Sequence, residues 1–272
     1  MKWTPLVATA AFLTMLTVPP AFADKLDDII ASGTLRCAVV LDFPPMGSRD
    51  KDNNPIGFDV DTCNDLAKAL GVTAEIVETP FPDRIPALVS GRADVGVAST
   101  SDTLERAKTI GFSIPYFAFT FNVVTRKDTN VDSYESLKGH KVGSTSGTYE
   151  AIRLEADVKA WADAAGSFQA FQSQADVFLA LSQGAIDGTA VTSTVAYATA
   201  NDPNFSNLKV GGAAPYAIDY VSLISLREEY GLINYLNLFV NQQVRTGRYK
   251  ELYNKWIGPG EPPNLLVPGS YY

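Results

Sequence analysis

The 272-residue sequence carries 30 acidic and 22 basic residues, which gives a formal net charge of −8, and 46% of its residues are hydrophobic. An acidic chain is a poor partner for nucleic acid or an anionic membrane surface, so we expect neither. Two cysteines are too few for a disulfide-rich scaffold, and the single histidine, His140, has no partner at metal-ligand spacing. We therefore expect no metal and no cofactor.

The first 23 residues have the pattern of a secretory signal peptide. Lys2 precedes an apolar stretch from Leu6 to Val18, and the segment ending at Ala23 matches a small-x-small cleavage site. The apolar stretch is too short to span a bilayer comfortably, and no later segment has about 18 uninterrupted apolar residues. Cleavage near Ala23 predicts a soluble, periplasmic mature protein.

Strand and helix patterns alternate along the rest of the chain, which is typical of parallel sheets covered on both faces. The first half reads strand, helix, strand, helix, strand in "TLRCAVV" (34–40), "FDVDTCNDLAKALG" (58–71), "TAEIVE" (73–78), "DRIPALVSG" (83–91) and "ADVGVAS" (93–99). After the bridging run "FAFTFNVVTRK" (117–127), the same order returns in "HKVGSTS" (140–146), "TYEAIRLEADVK" (148–159), "SFQAFQS" (167–173), "QADVFLALSQG" (174–184) and "IDGTAVT" (186–192). Residues 216–225 then predict a strand, 232–258 one or two amphipathic helices, and the Pro- and Gly-rich tail an irregular segment.

The two halves can be aligned with each other. "ALVSGRADVGVASTS" (87–101) and "ALSQGAIDGTAVTST" (180–194) share the opening Ala-Leu, a glycine, an aspartate and a closing run of three hydroxyl residues. Asp94 and Asp187 occupy the same place in both, which favours a structural role in a turn. Ligands of open parallel sheets bind beyond the carboxyl ends of the strands, so we predict two similar α/β lobes that face each other across a hydroxyl-lined cleft.

The two cysteines are predicted to point into one core. Cys37 shares a strand face with Leu35 and Val39, and Cys63 lies on the apolar face of the following helix. Export would permit a disulfide between them, and two buried thiols packing as small hydrophobic groups are the alternative.

The stretch "STSDTLERA" (99–107) has two interpretations. In the first, Asp102 and Glu105 form a capping box at a helix start and Arg106 is a solvated surface charge. In the second, the helix N-terminus and the hydroxyls of Ser99, Ser101 and Thr103 bind an anion, which Arg106 clamps bidentately. The second interpretation suits a small carboxylic acid.

The second half of the chain offers a partner for this site. "VGSTSGTYE" (142–150) has Gly147 at a strand-to-helix turn. The N–H groups and hydroxyls near Thr145, Thr148 and Tyr149 are thereby candidates to meet the same anion from the other side.

Five motifs together resemble the family 3 periplasmic solute-binding proteins, which deliver polar amino acids and related compounds to ABC importers. The resemblance covers nearly all of the chain after residue 23 and rests on "GTLRCAVVLDFPPM", "GFDVDTCNDLAKALG", "RIPALVSGRADVGVASTSDTLERAKTIGFSIPYF", "LKGHKVGSTSGTYE" and "GRYKELYNKWIG". It implies a two-lobed type II periplasmic binding protein fold, with two βαβαβ lobes joined by two hinge strands. We expect residues 24–119 and 222–272 in lobe 1, residues 120–221 in lobe 2, and a monomer that serves an inner-membrane permease.

The resemblance also implies roles for particular residues. The arginine matching Arg106 grips the ligand α-carboxylate, and aromatic residues matching Phe43 and Phe81 cover the ligand. The carboxylate is further held by positions matching Ser99, Ser101, Thr145, Thr148 and Tyr149. The hinge strands fall near residues 119–123 and 217–221, and closure about them would strengthen every contact to the carboxylate.

One position departs from the family pattern. Members that bind α-amino acids usually have an aspartate after the strand "DGTAV", where it pairs with the ligand ammonium, and this sequence has Thr192 there. A buried ammonium without a counter-charge costs several kcal/mol, so another acid must replace it or the ligand must lack a free α-ammonium. Asp219 is the first candidate acid, with Asp42 and Asp83 behind it. The alternative ligands are betaines, opines, keto acids and hydroxy acids.

Two other functions compete with solute delivery. The fold also resembles secreted cyclohexadienyl dehydratases, although no Ser/His or Cys/His pair is evident and any catalysis would depend on carboxylates alone. A sensor that presents its closed state to a chemoreceptor is the third possibility. We expect a carrier without catalytic residues.

Overall fold

The computed structural model describes residues 24–265, so the predicted signal peptide and residues 266–272 lie outside the described chain. The helices are α1 Lys25–Ser32, α2 Phe58–Leu70, α3 Arg84–Val89, α4 Tyr149–Trp161, α5 Gln174–Ser182, α6 Ser193–Ala200, α7 Tyr230–Arg245 and α8 Arg248–Trp256. The strands are β1 Thr34–Val39, β2 Ser48–Arg49, β3 Pro55–Ile56, β4 Thr73–Glu78, β5 Val95–Ser101, β6 Ile110–Phe119, β7 Phe121–Arg126, β8 Lys141–Thr145, β9 Ser167–Phe171, β10 Gly188–Thr192, β11 Leu208–Ala213 and β12 Asp219–Leu226. None of these helices is both long and apolar enough to cross a membrane.

Two five-stranded sheets organise the described chain, in the orders β4-β1-β5-β12-β6 and β9-β8-β10-β7-β11. In each sheet the first three strands are parallel and the last two are antiparallel to their neighbours. The first sheet packs with α1, α2, α3 and α7, and the second with α4, α5 and α6. We call these two units the first and second lobes. Their common topology confirms the prediction of two similar α/β lobes.

The repeated aspartates stabilise the same turn in both lobes. The Asp94 carboxylate accepts a hydrogen bond from the backbone N–H of Arg36 at 3.0 Å, and Asp187 accepts one from Lys141 at 3.0 Å. In each case the aspartate N–H returns a bond to the carbonyl of the same residue. Each aspartate therefore ties the segment before its lobe's third strand to the first strand.

The first lobe contains the disulfide that the sequence left open. Cys37 on β1 and Cys63 on α2 are joined, and both are fully buried. Helix α2 presents Val60, Cys63 and Leu66 to the core and ends at Gly71, whose left-handed backbone (φ 72°) returns its N–H to the carbonyl of Ala67. The strand and helix were both predicted, and their shared core brings the two sulfur atoms together.

The chain crosses between the lobes twice. It leaves the first sheet between β6 and β7, and it returns between β11 and β12. Asp219 pairs with Phe119 where β12 begins and β6 ends, so the two crossings lie side by side. This arrangement suits the predicted hinge, and the hinge motion and the lobe boundaries remain predictions.

The helix expected after Ser99 is absent. Strand β5 continues to Ser101, and the N–H of Asp102 bonds to the carbonyl of Tyr220 on β12. Only a short 3₁₀ turn follows at residues 106–108, without a side-chain cap. Both interpretations of "STSDTLERA" assumed a helix N-terminus, and that assumption is wrong because a long-range bond to β12 holds the chain extended.

Candidate functional site

A small cavity lies between the two lobes, at the carboxyl ends of β5 and β10. We call it the interlobe cavity. Eight of the eleven predicted ligand-binding residues line it, namely Phe43, Phe81, Ser99, Ser101, Thr148, Tyr149, Thr192 and Asp219. Three further residues line the cavity. The sequence did not lead us to the charged residues Arg84 and Glu150, and it placed Phe119 only in the hinge.

The remaining three predicted residues, Arg106, Thr103 and Thr145, are not part of the lining. Arg106 donates to the carbonyl oxygens of Ser101 at 3.0 Å and Gly147 at 2.8 Å. The Thr103 hydroxyl accepts the N–H of Arg106, so it supports the turn that carries this arginine. The Thr145 carbonyl accepts the hydroxyl of Thr148. Arg106 is thus at the lobe junction, with backbone carbonyls at two of its N–H groups.

Arg84 is the buried cation of the interlobe cavity. It is 3% exposed, and its guanidinium donates to the carbonyls of Phe81, Ala98 and Ser99 at 2.9 Å and to Gly147 at 2.7 Å. Burial, followed by the nearby charge of Arg106, lowers the pKa of Arg84 to about 9, so it remains charged at neutral pH. Because Gly147 belongs to the second lobe, both arginines bridge the lobes through one carbonyl oxygen.

Two carboxyl groups face this positive charge. Asp219, 8% exposed, accepts the Ser101 hydroxyl at 3.0 Å, and Glu150, 4% exposed, lies in the first turn of α4. Burial raises the pKa of each to about 7, and the arginines oppose the rise. The cavity therefore combines cationic and acidic groups, as a zwitterionic ligand would require.

Ser99 is held in an unusual backbone conformation at the cavity wall. Its φ of 46° lies in the left-handed region, which costs a residue other than glycine about 1–2 kcal/mol. Its N–H donates to the Tyr116 hydroxyl at 3.0 Å, and its own hydroxyl donates to Asp59 at 3.2 Å. Asp59 also accepts the Tyr116 hydroxyl at 2.7 Å. This buried network fixes the orientation of Ser99.

The other two candidate acids, Asp42 and Asp83, lie outside the interlobe cavity. Asp42 accepts the N–H groups of Gln174 at 2.6 Å and Ala175 at 3.3 Å, so it contacts the start of α5 in the opposite lobe. Asp83 precedes α3 without a side-chain capping bond. Neither lines the interlobe cavity, which leaves Asp219 as the notable acid among the three that the sequence proposed.

Two further features bear on the expected site. A larger groove, open to solvent, also borders the crossing strands, with Tyr197, Tyr253 and Trp256 among its residues. It includes none of the eleven predicted residues, so it is separate from the predicted site. Among residues 24–265, no group of three or more His, Cys, Asp or Glu side chains is arranged to hold a metal ion.

Comparisons with known proteins bear on the same fold and site. A model of the bacterial extracellular solute-binding proteins, family 3, matches residues 35–259. The glutamine-binding protein GlnH of an ABC transporter of Bacillus subtilis (strain 168) is 29% identical over 205 residues, which cover 74% of this chain and 72% of the relative. A putative ABC transporter arginine-binding protein 2 of Escherichia coli (strain K12) is 30% identical over 234 residues, which cover 84% and 92%.

A solved structure supports the same assignment. The ancestral amino acid-binding protein AncCDT-1, described as a precursor of cyclohexadienyl dehydratase, superposes with a TM-score of 0.75 at 30% sequence identity. The match covers 85% of this chain and 99% of the solved one. The family match spans both sheets and both crossings described above. The chain therefore belongs to the bacterial extracellular solute-binding proteins, family 3.

Proposed function

We propose that this chain captures a small amino acid or amino-acid derivative between its lobes outside the cytoplasm and delivers it to the permease of an ABC importer. The observation that carries the proposal is the interlobe cavity, which has walls from both lobes. Ser99 and Ser101 come from the first lobe, and Thr148 and Thr192 from the second. A solute bound there is enclosed only when the lobes are together, which suits capture followed by release at a partner.

The ligand class follows from the chemistry of the cavity and from the relatives. Hydroxyls, two nearby arginines and two carboxyl groups provide partners for both ends of an amino acid. The names of the relatives that bind glutamine and arginine favour an amino-acid ligand. Their ABC transporters favour an importer permease as the partner, and we propose that the carrier acts as a monomer in the periplasm.

Arg106 has a specific part in this proposal. Two of its N–H groups contact the carbonyls of Ser101 and Gly147. We propose that a ligand carboxylate binds remaining N–H groups of Arg106 as the first lobe, which carries Arg106, closes on the second. Phe43 and Phe81, whose ring centroids are 5.0 Å apart, would cover the ligand.

The proposal assigns no catalytic step to the cavity. The likeness to a precursor of a dehydratase keeps an enzyme as the rival, since carboxyl groups with a pKa of about 7 suit proton transfer. The solved precursor is itself described as an amino acid-binding protein, which favours binding. The rival predicts that a bound solute is converted.

Thermal unfolding of ligand-stripped protein tests the proposal. The panel contains the twenty proteinogenic amino acids, opines, betaines, ectoine, and keto and hydroxy acids. A ligand at 100 times its dissociation constant adds about 2.7 kcal/mol to the free energy of unfolding, which shifts the midpoint by several degrees. We expect such a shift with at least one amino acid. Mass spectrometry of that amino acid, recovered from the protein, should show that it has not been chemically converted. No shift with any compound would refute carriage of these solutes, and conversion would favour the enzyme.

A further inference from the structure

We propose that Glu150, together with Asp219, supplies the counter-charge for the ammonium group of the ligand. They would replace the aspartate that family members usually have where this chain has Thr192. The inference rests on the proposed function and names its ligand class, a small zwitterion with a free ammonium. It makes Glu150 a residue that determines specificity.

The topology relates Glu150 directly to Thr192. Thr192 ends β10, and Glu150 lies in the first turn of the helix that follows β8. Strands β8 and β10 are parallel neighbours, so their carboxyl ends meet at the same edge of the second sheet. Neighbouring strands lie about 4.8 Å apart. Compared with the family pattern, the carboxylate of Glu150 thus lies one strand away on the same wall. Glu150 and Thr192 both line the cavity.

Glu150 is not required as the cap of its helix. The hydroxyl of Thr148 already accepts the N–H of Ala151 at 3.2 Å, which is the capping bond of α4. Glu150 nevertheless is 4% exposed and faces the cavity, although burying an acid is costly. Its own backbone N–H and the charge of Arg84 offset part of that cost, and a ligand ammonium would offset more of it.

Asp219 approaches from the other lobe. It begins β12 in the first sheet, lines the same cavity, and accepts the Ser101 hydroxyl at 3.0 Å. The two acids therefore enter one cavity from opposite lobes. A cation between them would be attracted to both lobes, so its charge would favour closure.

The charged groups of the cavity narrow the ligand class. Glu150 and Asp219 offer carboxyl groups to an ammonium, and Arg84 and Arg106 provide positive charge for a carboxylate. This combination favours an amino acid over a hydroxy acid or keto acid, which lacks the ammonium.

Isothermal titration calorimetry of Glu150→Gln tests the inference with two probes. These are the L-amino acid that gives the largest thermal shift and its 2-hydroxy analogue, which lacks the ammonium. We expect Glu150→Gln to weaken amino-acid binding at least about 30-fold and hydroxy-acid binding no more than about threefold. Adding Thr192→Asp to Glu150→Gln returns a carboxylate to the neighbouring strand and should recover most of the loss.

Glu155→Gln is the matched control. Glu155 lies on the same helix and pairs with Lys159 on the outer surface, so its loss should leave both affinities unchanged. Equal weakening of both probes by Glu150→Gln, or unchanged amino-acid binding, would overturn the inference while the carrier function stands. Wild-type protein that binds only compounds without an ammonium would overturn it as well. Wild-type protein that binds no solute would instead refute the proposed function itself.

Discussion

Replacing Gly147 by alanine should open the closed cavity. Gly147 has a left-handed backbone (φ 80°), and a Cβ there would lie 2.9 Å from Cα of Pro82 and 3.2 Å from the carbonyl carbon of Phe81. Both neighbours belong to the first lobe, so the turn of the second lobe touches backbone directly. Non-bonded carbon atoms settle about 3.5–4.0 Å apart. Alanine would therefore push the two lobes apart by roughly 0.6–1 Å.

This separation would break the two bonds that join the lobes at Gly147. Its carbonyl oxygen lies 2.7 Å from Arg84 and 2.8 Å from Arg106, and the added distance takes both contacts to about 3.3–3.8 Å, beyond the range of about 2.7–3.2 Å for such bonds. Hydrogen bonds from charged groups contribute about 1.5–3 kcal/mol each. The closed state would lose about 3–6 kcal/mol, which corresponds to roughly 100-fold to 10⁴-fold weaker ligand binding.

Gly91→Ala separates backbone strain from the lobe contact. Gly91 also has a left-handed backbone (φ 69°), and no atom lies within 4 Å of the added Cβ. Each variant should lose about 1–2 kcal/mol in urea denaturation, because both place alanine in the left-handed region. Only Gly147→Ala should lose ligand affinity in calorimetry with the amino acid that stabilises wild type most. If both variants bind that amino acid equally well, the Gly147 contact is no part of the ligand-bound state and the reasoning fails.

Two further predictions concern the first lobe. The disulfide joins residues 26 apart, so Cys37→Ala with Cys63→Ala should lower the free energy of unfolding by about 3.5 kcal/mol in urea; equal stability of variant and oxidised wild type would contradict this. Burial raises the pKa of Asp59 from 3.8 to about 7, so its contribution to stability is complete below about pH 4 and is lost as the pH rises through about 7. Asp59→Asn should remove up to about 4 kcal/mol of that decline between pH 4 and 8, measured by urea denaturation at several pH values, and an unchanged pH profile would count against it.

The elements that the sequence predicted best depend on local signals. Helix α2 ends at Gly71, because closing that turn requires a residue with a left-handed backbone conformation. The apolar residues of this helix recur every three or four positions. Strand β4 was predicted with its observed bounds, Thr73–Glu78. Helix α6 was missed because "STVAYATA" is rich in residues that favour strands and Thr192 makes no capping bond through its side chain.

The site residues at strand ends were predictable for a topological reason. Ser101 and Thr192 end β5 and β10, one in each sheet, and ligands of parallel sheets bind beyond the carboxyl ends of the strands. The position of Arg106 was harder to predict, because the bond from Asp102 to Tyr220 joins residues far apart in sequence. No window around "STSDTLERA" contains that contact.

Arg84 and Glu150, the two charged site residues that were not predicted, could have been found from the helical repeat of apolar positions. Arg84 stands three and four residues before the buried Ala87 and Leu88, so it lies on the apolar face of α3. Glu150 stands four residues before the buried Leu154 in the same way on α4. A charged residue in phase with an apolar face is a candidate for a buried functional group.

Arg84 and Glu150 are both buried, and each provides the opposite charge that the other needs. Arg84 alone would leave a desolvated cation in the first lobe, and Glu150 alone a desolvated carboxyl in the second. Closure brings each within the field of the other, and Glu150 helps to keep Arg84 charged. The closed cavity is therefore partly balanced before a solute enters. A ligand with one charge would disturb that balance, whereas a zwitterion brings an opposite charge for the charged group of each lobe.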